Sequence, residues 1–400
     1  MSHAQHPERI VVVGASAAGL STAEALRRGG FAGTLTLVGD EVHPPYDRPP
    51  LSKQLLSGAW ESERLHLRST DQLTGLDLEL RLGVTAVGLD QDRREVSLSD
   101  GSVLGYDALV IATGVRARRL PGTDGLPGVH ALRTMDDALA LRGSMRPGAR
   151  LAIVGAGFIG AEAAAVASGT GCQVTLISDL PQPLSDILGP ELGAMLTRTH
   201  TDHGVRVETG VLATGIPTRD GRACGVELSD GRTVDADLVL VGIGTVPNTE
   251  WLRDSGLPLG NGVECDAYLR AGEGIWAAGD VASWPDAVAG LRRRIEHRTN
   301  AAEQGLAVAR NILAGEAATP FTSVPYVWSD QYDLKIQMYG LPRGAEHVRI
   351  VEGSVEDRAL IALYGSESVV QGVVAINMAR AARGYRRHVA EGSSWPLTPA

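Results

Sequence analysis

Two glycine-rich segments are the residues whose types and spacing most directly suggest chemistry. Residues 14–19, GASAAG, follow the pattern G-x-G-x-x-G with Ser16 in place of the second glycine, whereas residues 155–160, GAGFIG, have all three glycines. In dinucleotide-binding proteins these glycines allow a tight turn, a close backbone approach to a pyrophosphate, and close packing of helix on strand. The helix that follows offers unpaired N–H groups to the phosphates. The two segments therefore predict that the chain binds two dinucleotides.

The elements around both turns follow one plan. Each turn lies between an apolar run and a helix-forming stretch, and a second apolar run follows; the runs are 10–13 and 34–38 for the first turn, and 151–154 and 173–177 for the second. Asp40 and Asp179 come about 20 residues after the last glycine, where the Rossmann fingerprint places an acid that bonds the adenosine ribose. A single turn with serine would fit an ordinary strand–turn–helix connection equally well. Repetition of the whole unit favours two Rossmann-type domains.

Three further segments run from a predicted buried strand into glycine. They are 106–114 (YDALVIATG), 237–244 (DLVLVGIG) and 274–280 (GIWAAGD). Each alone is also typical of a plain core strand with its turn.

The composition excludes several classes of protein. The 400 residues predict two or three domains, and 44% hydrophobic with 21% charged residues is typical of a soluble globular protein. A net charge of −10 argues against nucleic-acid or membrane partners. The three cysteines form no C-x-x-C pair, so we expect neither disulfides nor a metal site, and a reducing cytoplasm as the location.

A set of motifs resembles the FAD- and NADH-dependent ferredoxin reductases, the family of putidaredoxin reductase, rubredoxin reductase and the reductase components of aromatic-ring dioxygenases. The motifs are GASAAG, PPYDRPPLSK (44–53), ATG (112–114), GAGFIGAE (155–162), GIGTVPN (242–248), AAGD (277–280) and VWSDQY (327–332). The resemblance implies an α/β, glutathione-reductase-like fold with two Rossmann-type dinucleotide-binding domains and a C-terminal α+β domain. The implied domains are 1–114 with 245–320 for FAD, 115–244 for NAD, and 321–400 at the C-terminus.

The same resemblance implies the residues that bind each cofactor. For FAD they are Gly14, Ser16, Ala18, Gly19, Asp40, Arg48, Lys53, Val84, Ala112, Thr113, Gly114, Arg133, Gly279, Asp280, Glu296, His297, Arg298 and Trp328. For NAD they are Gly155, Gly157, Phe158, Ile159, Gly160, Glu162, Ser178, Asp179, Gly242, Ile243 and Gly244. Glu296, His297 and Trp328 are expected to flank the isoalloxazine ring.

Lys53 and Glu162 are the expected catalytic pair. Glu162 lies two residues beyond the second glycine turn, where the nicotinamide should arrive. A buried carboxylate without a partner is costly, so a cation is expected beside it. The resemblance implies that this cation is Lys53, close to N5 or N1 of the flavin. The alternative is a solvated lysine and a glutamate on a helix surface.

Some positions depart from the family pattern. Ser178 stands where relatives often have an acid, but the stretch from Gln173 to Glu191 contains no Lys or Arg to pair with a 2′-phosphate, which favours NADH over NADPH. Arg298 stands where many relatives have an apolar or aromatic residue. Relatives of this fold that pass electrons through a thiol have a cysteine in the region that corresponds to residues 46–53. This chain has none there, so electrons are expected to leave the flavin directly.

The resemblance implies transfer of a hydride from NADH to FAD, followed by single electrons to an iron–sulfur ferredoxin that serves a cytochrome P450 or a Rieske-type oxygenase. Two arginine runs could dock an acidic ferredoxin: Arg292, Arg293 and Arg294, and Arg383, Arg386 and Arg387. Ordinary solvated surfaces are the alternative for both runs. An NADH oxidase or quinone-type reductase, and a redox-switched binding flavoprotein similar to apoptosis-inducing factor, remain alternative functions.

Overall fold

The computed structural model describes residues 7–286, 290–366 and 369–395. The chain forms two compact units. The first unit comprises Met1–Asp47, Leu65–Arg116 and Val246–Ser323, and the second comprises Arg48–Arg64, Ala117–Thr245 and Val324–Ala400. Arg48–Arg64, which the sequence assigns to the FAD segment, therefore clusters with the second unit.

Helices and strands of the described residues are numbered in chain order. The helices are α1 (Ala17–Arg28), α2 (Thr70–Thr74), α3 (Met135–Ser144), α4 (Phe158–Gly169), α5 (Ser185–Asp202), α6 (Arg298–Ala314) and α7 (Ala379–Ala390). The strands up to residue 223 are β1 (Arg9–Val13), β2 (Thr34–Gly39), β3 (Glu79–Leu82), β4 (Ala86–Asp90), β5 (Glu95–Leu98), β6 (Val103–Gly105), β7 (Ala108–Ile111), β8 (Val115–Ala117), β9 (Val129–His130), β10 (Arg150–Val154), β11 (Gln173–Ile177), β12 (Arg206–Glu208), β13 (Ala213–Gly215), β14 (Thr218–Arg219) and β15 (Arg222–Ala223). The later strands are β16 (Gly225–Leu228), β17 (Thr233–Asp235), β18 (Leu238–Val241), β19 (Thr245–Pro247), β20 (Leu259–Gly260), β21 (Gly262–Glu264), β22 (Arg270–Gly272), β23 (Ile275–Ala277), β24 (Ala282–Asp286), β25 (Leu291–Arg293), β26 (Tyr326–Gln331), β27 (Leu334–Gly340), β28 (His347–Ser354), β29 (Ala359–Ser366) and β30 (Val369–Ile376).

The first unit is built on a six-stranded sheet in the order β22-β23-β7-β1-β2-β3. Strands β23, β7, β1, β2 and β3 are parallel, and β22 is antiparallel to β23. Because helices cover both faces of such a sheet, its central strands are almost continuously apolar. The sequence 10–13 of β1 and all four residues of β7 are buried accordingly.

The second unit repeats this plan in a parallel sheet of order β12-β11-β10-β18-β9. The glycine turn 155–160 joins β10 to α4, as the turn 14–19 joins β1 to α1. Carboxyl ends of parallel strands lie at one edge of a sheet, where α/β proteins bind ligands. The structure confirms the predicted fold class.

The C-terminal part of the second unit is an antiparallel sheet of order β26-β27-β30-β29-β28. One core cluster joins this sheet to α5 through residues that include Leu192, Leu196, Ile336 and Leu360. A second cluster packs α7 onto the sheet through Ala382 and Val373. Among the residues described, no helix has both the length and the apolar character that crossing a membrane requires.

Candidate functional site

The first glycine turn has the backbone geometry of a phosphate-binding loop. Gly14 has a φ of +125°, and a Cβ atom there would lie 2.0 Å from the backbone oxygen of Ala112. A Cβ atom at Gly19 would lie 1.9 Å from the oxygen of Gly14, so both positions require glycine. Ser16 is the N-cap residue of α1, but within the described structure its side chain makes no capping hydrogen bond. The N–H groups of the first helical turn are thus left for a ligand.

The second turn has the same geometry and a more open centre. Gly155 has a φ of +105°, and Cβ atoms at Gly155 and Gly160 would lie 2.2 and 1.9 Å from the oxygens of Gly242 and Gly155. A Cβ atom at Gly157, in contrast, would meet no described atom within 4 Å. The protein itself does not require glycine at Gly157, but a pyrophosphate that approaches the backbone would. The residues therefore fit a dinucleotide.

In the first unit, buried polar atoms of α6 and of the residue before it have no partner among the described residues. The N–H of Gly279 donates to Oε1 of Gln304 over 2.7 Å, which holds the turn at 277–280 beside α6. Among the described residues, His297 Nδ1, Asn300 Oδ1 and Gln304 Nε2 are buried and have no hydrogen-bond partner. Burial lowers the pKa of His297 to about 4, so its imidazole is neutral at pH 7. Such groups fit a polar ligand because unpaired buried polar atoms are costly.

Other predicted residues of the first unit lie at strand ends and loops. Asp40 is exposed directly after β2, and the N–H of Val84 donates to the Gly39 carbonyl over 3.0 Å. Thr113 Oγ1 donates to the carbonyl of Asn248 over 2.8 Å, and Asn248 Nδ2 donates to the Thr113 carbonyl over 2.9 Å. Asn248 lies in the GIGTVPN motif, but nothing in its spacing indicated this partner.

The unusual Arg298 has a partner in the first unit. It is the first residue of α6, and its guanidinium forms an ion pair with Asp47. Glu296, which is exposed, pairs with Arg294 at 2.7 Å, and the Asp280 carbonyl accepts from Arg294 Nη1 over 2.9 Å. Arg298 thus binds a neighbouring carboxylate of its own unit.

The predicted pairing of Lys53 with Glu162 is confirmed within the second unit. Lys53 Nζ lies 2.7 Å from Glu162 Oε2, and their side chains are 10% and 2% exposed, so the alternative of solvated residues is wrong. Lys53 also donates to the Pro49 carbonyl over 3.1 Å. Two hydroxyls complete the surroundings of the carboxylate: Ser52 donates to Oε2, and Ser329 donates to Oε1 over 2.7 Å. Neither serine was predicted from the sequence.

The structure also places other predicted residues in the second unit, among them Arg48, Trp328, Phe158 and Ile159. Arg48 Nη1 donates to the Arg133 carbonyl over 2.7 Å, and the N–H of Arg133 donates to Asp137 Oδ2 over 3.0 Å. Trp328 lies on β26, stacked against Tyr326 with ring centroids 5.9 Å apart. Phe158 and Ile159 form the first turn of α4, and Ile159 is 43% exposed.

The end of β11 carries the residues expected to recognise the adenosine of NAD. Ser178 is buried; its N–H donates to the Glu208 carbonyl over 2.8 Å, and its hydroxyl accepts from the N–H of Leu180 over 3.1 Å. Asp179 is exposed. Glu208, at the end of the adjacent β12, forms ion pairs with Arg232 and Arg206, which hold the pKa of its carboxyl below the usual value. These arginines are thus engaged beside Ser178.

The two arginine runs differ in how far they are engaged. Arg292 donates to the carbonyls of Cys265 and Ser283, Arg293 pairs with Asp286, and Arg294 pairs with Glu296. On α7 the arginines 380, 383, 386 and 387 are all exposed, and none of them lies within 4 Å of a carboxylate in the described part of the chain. The helix thus presents uncompensated positive charge.

Comparisons with known proteins agree with this geometry. Residues 8–305 match the family described as pyridine nucleotide-disulphide oxidoreductase, and residues 326–398 match the family described as reductase C-terminal. Rhodocoxin reductase of Rhodococcus erythropolis is 40% identical over 396 residues, covering 98% of this chain and 91% of that protein. The ferredoxin–NAD(+) reductase component of the p-cumate 2,3-dioxygenase system of Pseudomonas putida is 39% identical over 390 residues, covering 96% of this chain and 94% of that protein. A chain of the covalent putidaredoxin reductase–putidaredoxin complex superposes with a TM-score of 0.91 at 32% identity, covering 96% of this chain and 93% of that one.

Proposed function

Because the chain belongs to the pyridine nucleotide-disulphide oxidoreductase family, we propose that it is an FAD-containing, NADH-dependent ferredoxin reductase. The observation that carries the proposal is the presence of two glycine turns with dinucleotide geometry in one chain. Relatives that match almost the whole chain are named as reductases of ferredoxins, and one is seen joined to putidaredoxin. None of the three cysteines lies in residues 46–53, so no thiol is available there to relay electrons.

We assign the cofactors to the segments that the sequence indicates. FAD is bound by residues 1–114 and 245–320, NAD by residues 115–244, and residues 321–400 form the C-terminal domain. When bound, the flavin can accept a hydride from NADH and release its electrons one at a time. The overall reaction consumes one NADH and two oxidised ferredoxins, and it yields NAD⁺, a proton and two reduced ferredoxins.

The protein's own groups would bind and orient the two cofactors. The open backbone at Gly157 and the uncapped first turn of α1 receive pyrophosphates. Neutral His297, Asn300 and Gln304 offer buried polar atoms to the flavin side of the site. Lys53 would present its ammonium to the flavin, and Glu162, which pairs with that ammonium, would hold it in place. The engaged arginines beside Ser178 favour NADH, because neither is released to bind a 2′-phosphate.

We place the ferredoxin on α7 rather than on the run 292–294. The arginines of α7 are exposed, whereas those of the other run bind carbonyls and carboxylates of their own unit. Complementary charge accelerates the encounter of an acidic ferredoxin with such a helix. The ferredoxin would in turn serve a cytochrome P450 or a Rieske-type oxygenase. The free cysteines 172, 224 and 265 support a reducing cytoplasm as the site of action.

The test is reduction of cytochrome c by the purified protein with NADH, in the presence and absence of a [2Fe–2S] ferredoxin. We expect turnover that depends on ferredoxin, with little oxygen consumption when ferredoxin is omitted. Ferredoxin-independent oxygen consumption at the same rate would instead indicate an NADH oxidase. Slow reduction combined with tight dimerisation would favour a redox-switched binding protein.

The docking surface has a matched test. Replacing Arg383, Arg386 and Arg387 by Gln should slow ferredoxin reduction about tenfold at low salt and remove most of its salt dependence. The same replacement of Arg292 and Arg293 is the control, with an effect below about twofold. Equal effects of the two sets would contradict docking on α7.

A further inference from the structure

A row of buried polar side chains leads from Glu162 toward the surface of the second unit. It consists of Ser329, Gln331, His200 and Tyr332, which we call the donor chain. Ser329, Gln331 and His200 are at most 1% exposed, and Tyr332 is half-buried in the turn between β26 and β27. The same region holds an apolar core, so polar groups here need a compensating role.

The bonds nearest Glu162 have a definite direction. Ser329 and Gln331 are two positions apart on β26 and therefore point to the same face. Gln331 Nε2 lies 3.2 Å from Ser329 Oγ, and this amide nitrogen can only donate. The hydroxyl proton of Ser329 is thus directed to Glu162 Oε1, 2.7 Å away.

The far end of the donor chain has the same direction. Tyr332 Oη lies 2.9 Å from His200 Nδ1. Burial raises the pKa of Tyr332 to about 12 and lowers the pKa of His200 to about 4, so at pH 7 the phenol keeps its proton and the imidazole is neutral. We assign the ring proton to Nε2, because the nearby Gln331 carbonyl can only accept, and in this tautomer Tyr332 donates to Nδ1.

His200 and Gln331 lie between the two ends. His200 Nε2 and Gln331 Oε1 are both buried, and neither has a hydrogen-bond partner among the residues described. The Gln331 side chain is close enough to His200 to raise its pKa, opposing the effect of burial. Each of these two atoms is therefore the type of partner that the other lacks.

We propose that Ser329, Gln331, His200 and Tyr332 are positioning residues whose successive O–H and N–H groups are aimed at Glu162, and that they thereby fix the ammonium of Lys53. Hydrogen bonds to a charged group are stronger than neutral ones, and donors arranged in series polarise one another. Ser329 occupies Oε1 of the carboxylate, so that Lys53 is confined to Oε2 and to the Pro49 carbonyl. The inference rests on the proposed function in that Lys53 acts at the flavin.

The test compares Ser329→Ala with Ser329→Thr in the FAD-loaded protein. Anaerobic stopped-flow reduction by NADH gives the hydride-transfer rate and the NADH dissociation constant, and a redox titration gives the flavin midpoint potential. We expect Ser329→Ala to slow hydride transfer about tenfold and to shift the potential, with NADH affinity within about twofold. Ser329→Thr, which keeps the hydroxyl, should restore most of the rate. Ser354→Ala in β28 of the same sheet removes a hydroxyl that donates to Asp357 and is the control.

A double-mutant cycle tests the link to Gln331. Gln331→Met should slow hydride transfer about threefold alone and have no further effect in the Ser329→Ala background, because its action passes through Ser329. Additive effects of the two substitutions, or a Ser329→Thr variant as slow as Ser329→Ala, would overturn the proposal.

Failure of the inference is distinguishable from failure of the proposed function, because these assays contain no ferredoxin. If Lys53→Met slows hydride transfer but Ser329→Ala does not, the donor chain is refuted and the role of Lys53 stands. If Lys53→Met leaves the rate unchanged, both the role of Lys53 and the donor chain are refuted. If hydride transfer behaves as expected but no ferredoxin is reduced, the proposed function alone is refuted.

Discussion

The two glycine turns follow one backbone plan but differ in the residues around them. In both, the first and last glycines are required because a Cβ atom would lie 1.9–2.2 Å from a backbone oxygen. The middle position is Ser16 in one turn and Gly157, facing open space, in the other. Both turns need their first and last glycines for backbone packing. The turns differ at the middle position, where the space is available to a ligand.

The strand ends beside the two turns differ further. In the first unit an exposed acid, Asp40, directly follows β2. In the second unit buried Ser178 takes that place, and Glu208 on the adjacent strand holds two arginines. In the proposed function, the glycines would allow a dinucleotide to bind at each turn, and the side chains at the strand ends would select which one.

The largest expected effect comes from breaking each turn separately. Gly14→Ala should yield protein that retains little FAD, whereas Gly155→Ala should stay yellow but bind NADH on the order of 100-fold more weakly, because each added Cβ would collide with a backbone oxygen. Flavin absorbance and NADH titration measure the two losses. Gly143→Ala is the control, because Gly143 lies in α3 and a Cβ there would meet no described atom within 4 Å. Loss of FAD from both turn variants would show that the two turns are not independent.

A smaller effect is expected when the arginines beside Ser178 are released. Glu208→Gln weakens the ion pair of Arg206 and one of the two ion pairs of Arg232, whose other partner is Asp230, so the ratio of kcat/KM for NADPH to that for NADH should rise about tenfold. Steady-state kinetics with both nucleotides check this. Asp235→Asn, which affects a partner of Arg150, should leave the ratio unchanged. If the ratio is unchanged in Glu208→Gln, these arginines do not contribute to the choice between NADH and NADPH.

The smallest effect is expected at the middle position of the first turn. Ser16→Gly should change FAD affinity by less than about threefold, because the Ser16 side chain makes no capping bond in the described structure. The reverse change, Gly157→Ser, should leave thermal stability unchanged but weaken NADH binding about tenfold, since its side chain enters the open space. A stability loss in Gly157→Ser would contradict this explanation of the glycine.

Local patterns of the sequence predicted the parallel sheets, their turns and the family, because glycine turns and apolar strands are encoded within short segments. The partners of Glu162 were only half predicted: the cost of burying a carboxylate indicated a cation, and the resemblance indicated Lys53. Ser52 and Ser329, 110 and 167 positions from Glu162, were missed because a buried carboxylate calls for a cation, and nothing in the sequence indicated hydroxyl donors as well. The arginines 292–294 likewise suggested a charged surface, but their carbonyl and carboxylate partners depend on the folded strands β24 and β25.

Whether the chain binds two dinucleotides and passes a hydride between them is tested by the flavin content of the purified protein and its anaerobic titration with NADH. We expect a yellow protein with one FAD per chain, whose flavin absorbance is bleached by one equivalent of NADH far faster than by NADPH. A colourless chain that cannot be reconstituted with FAD, or a bound flavin that NADH does not reduce, would contradict this expectation.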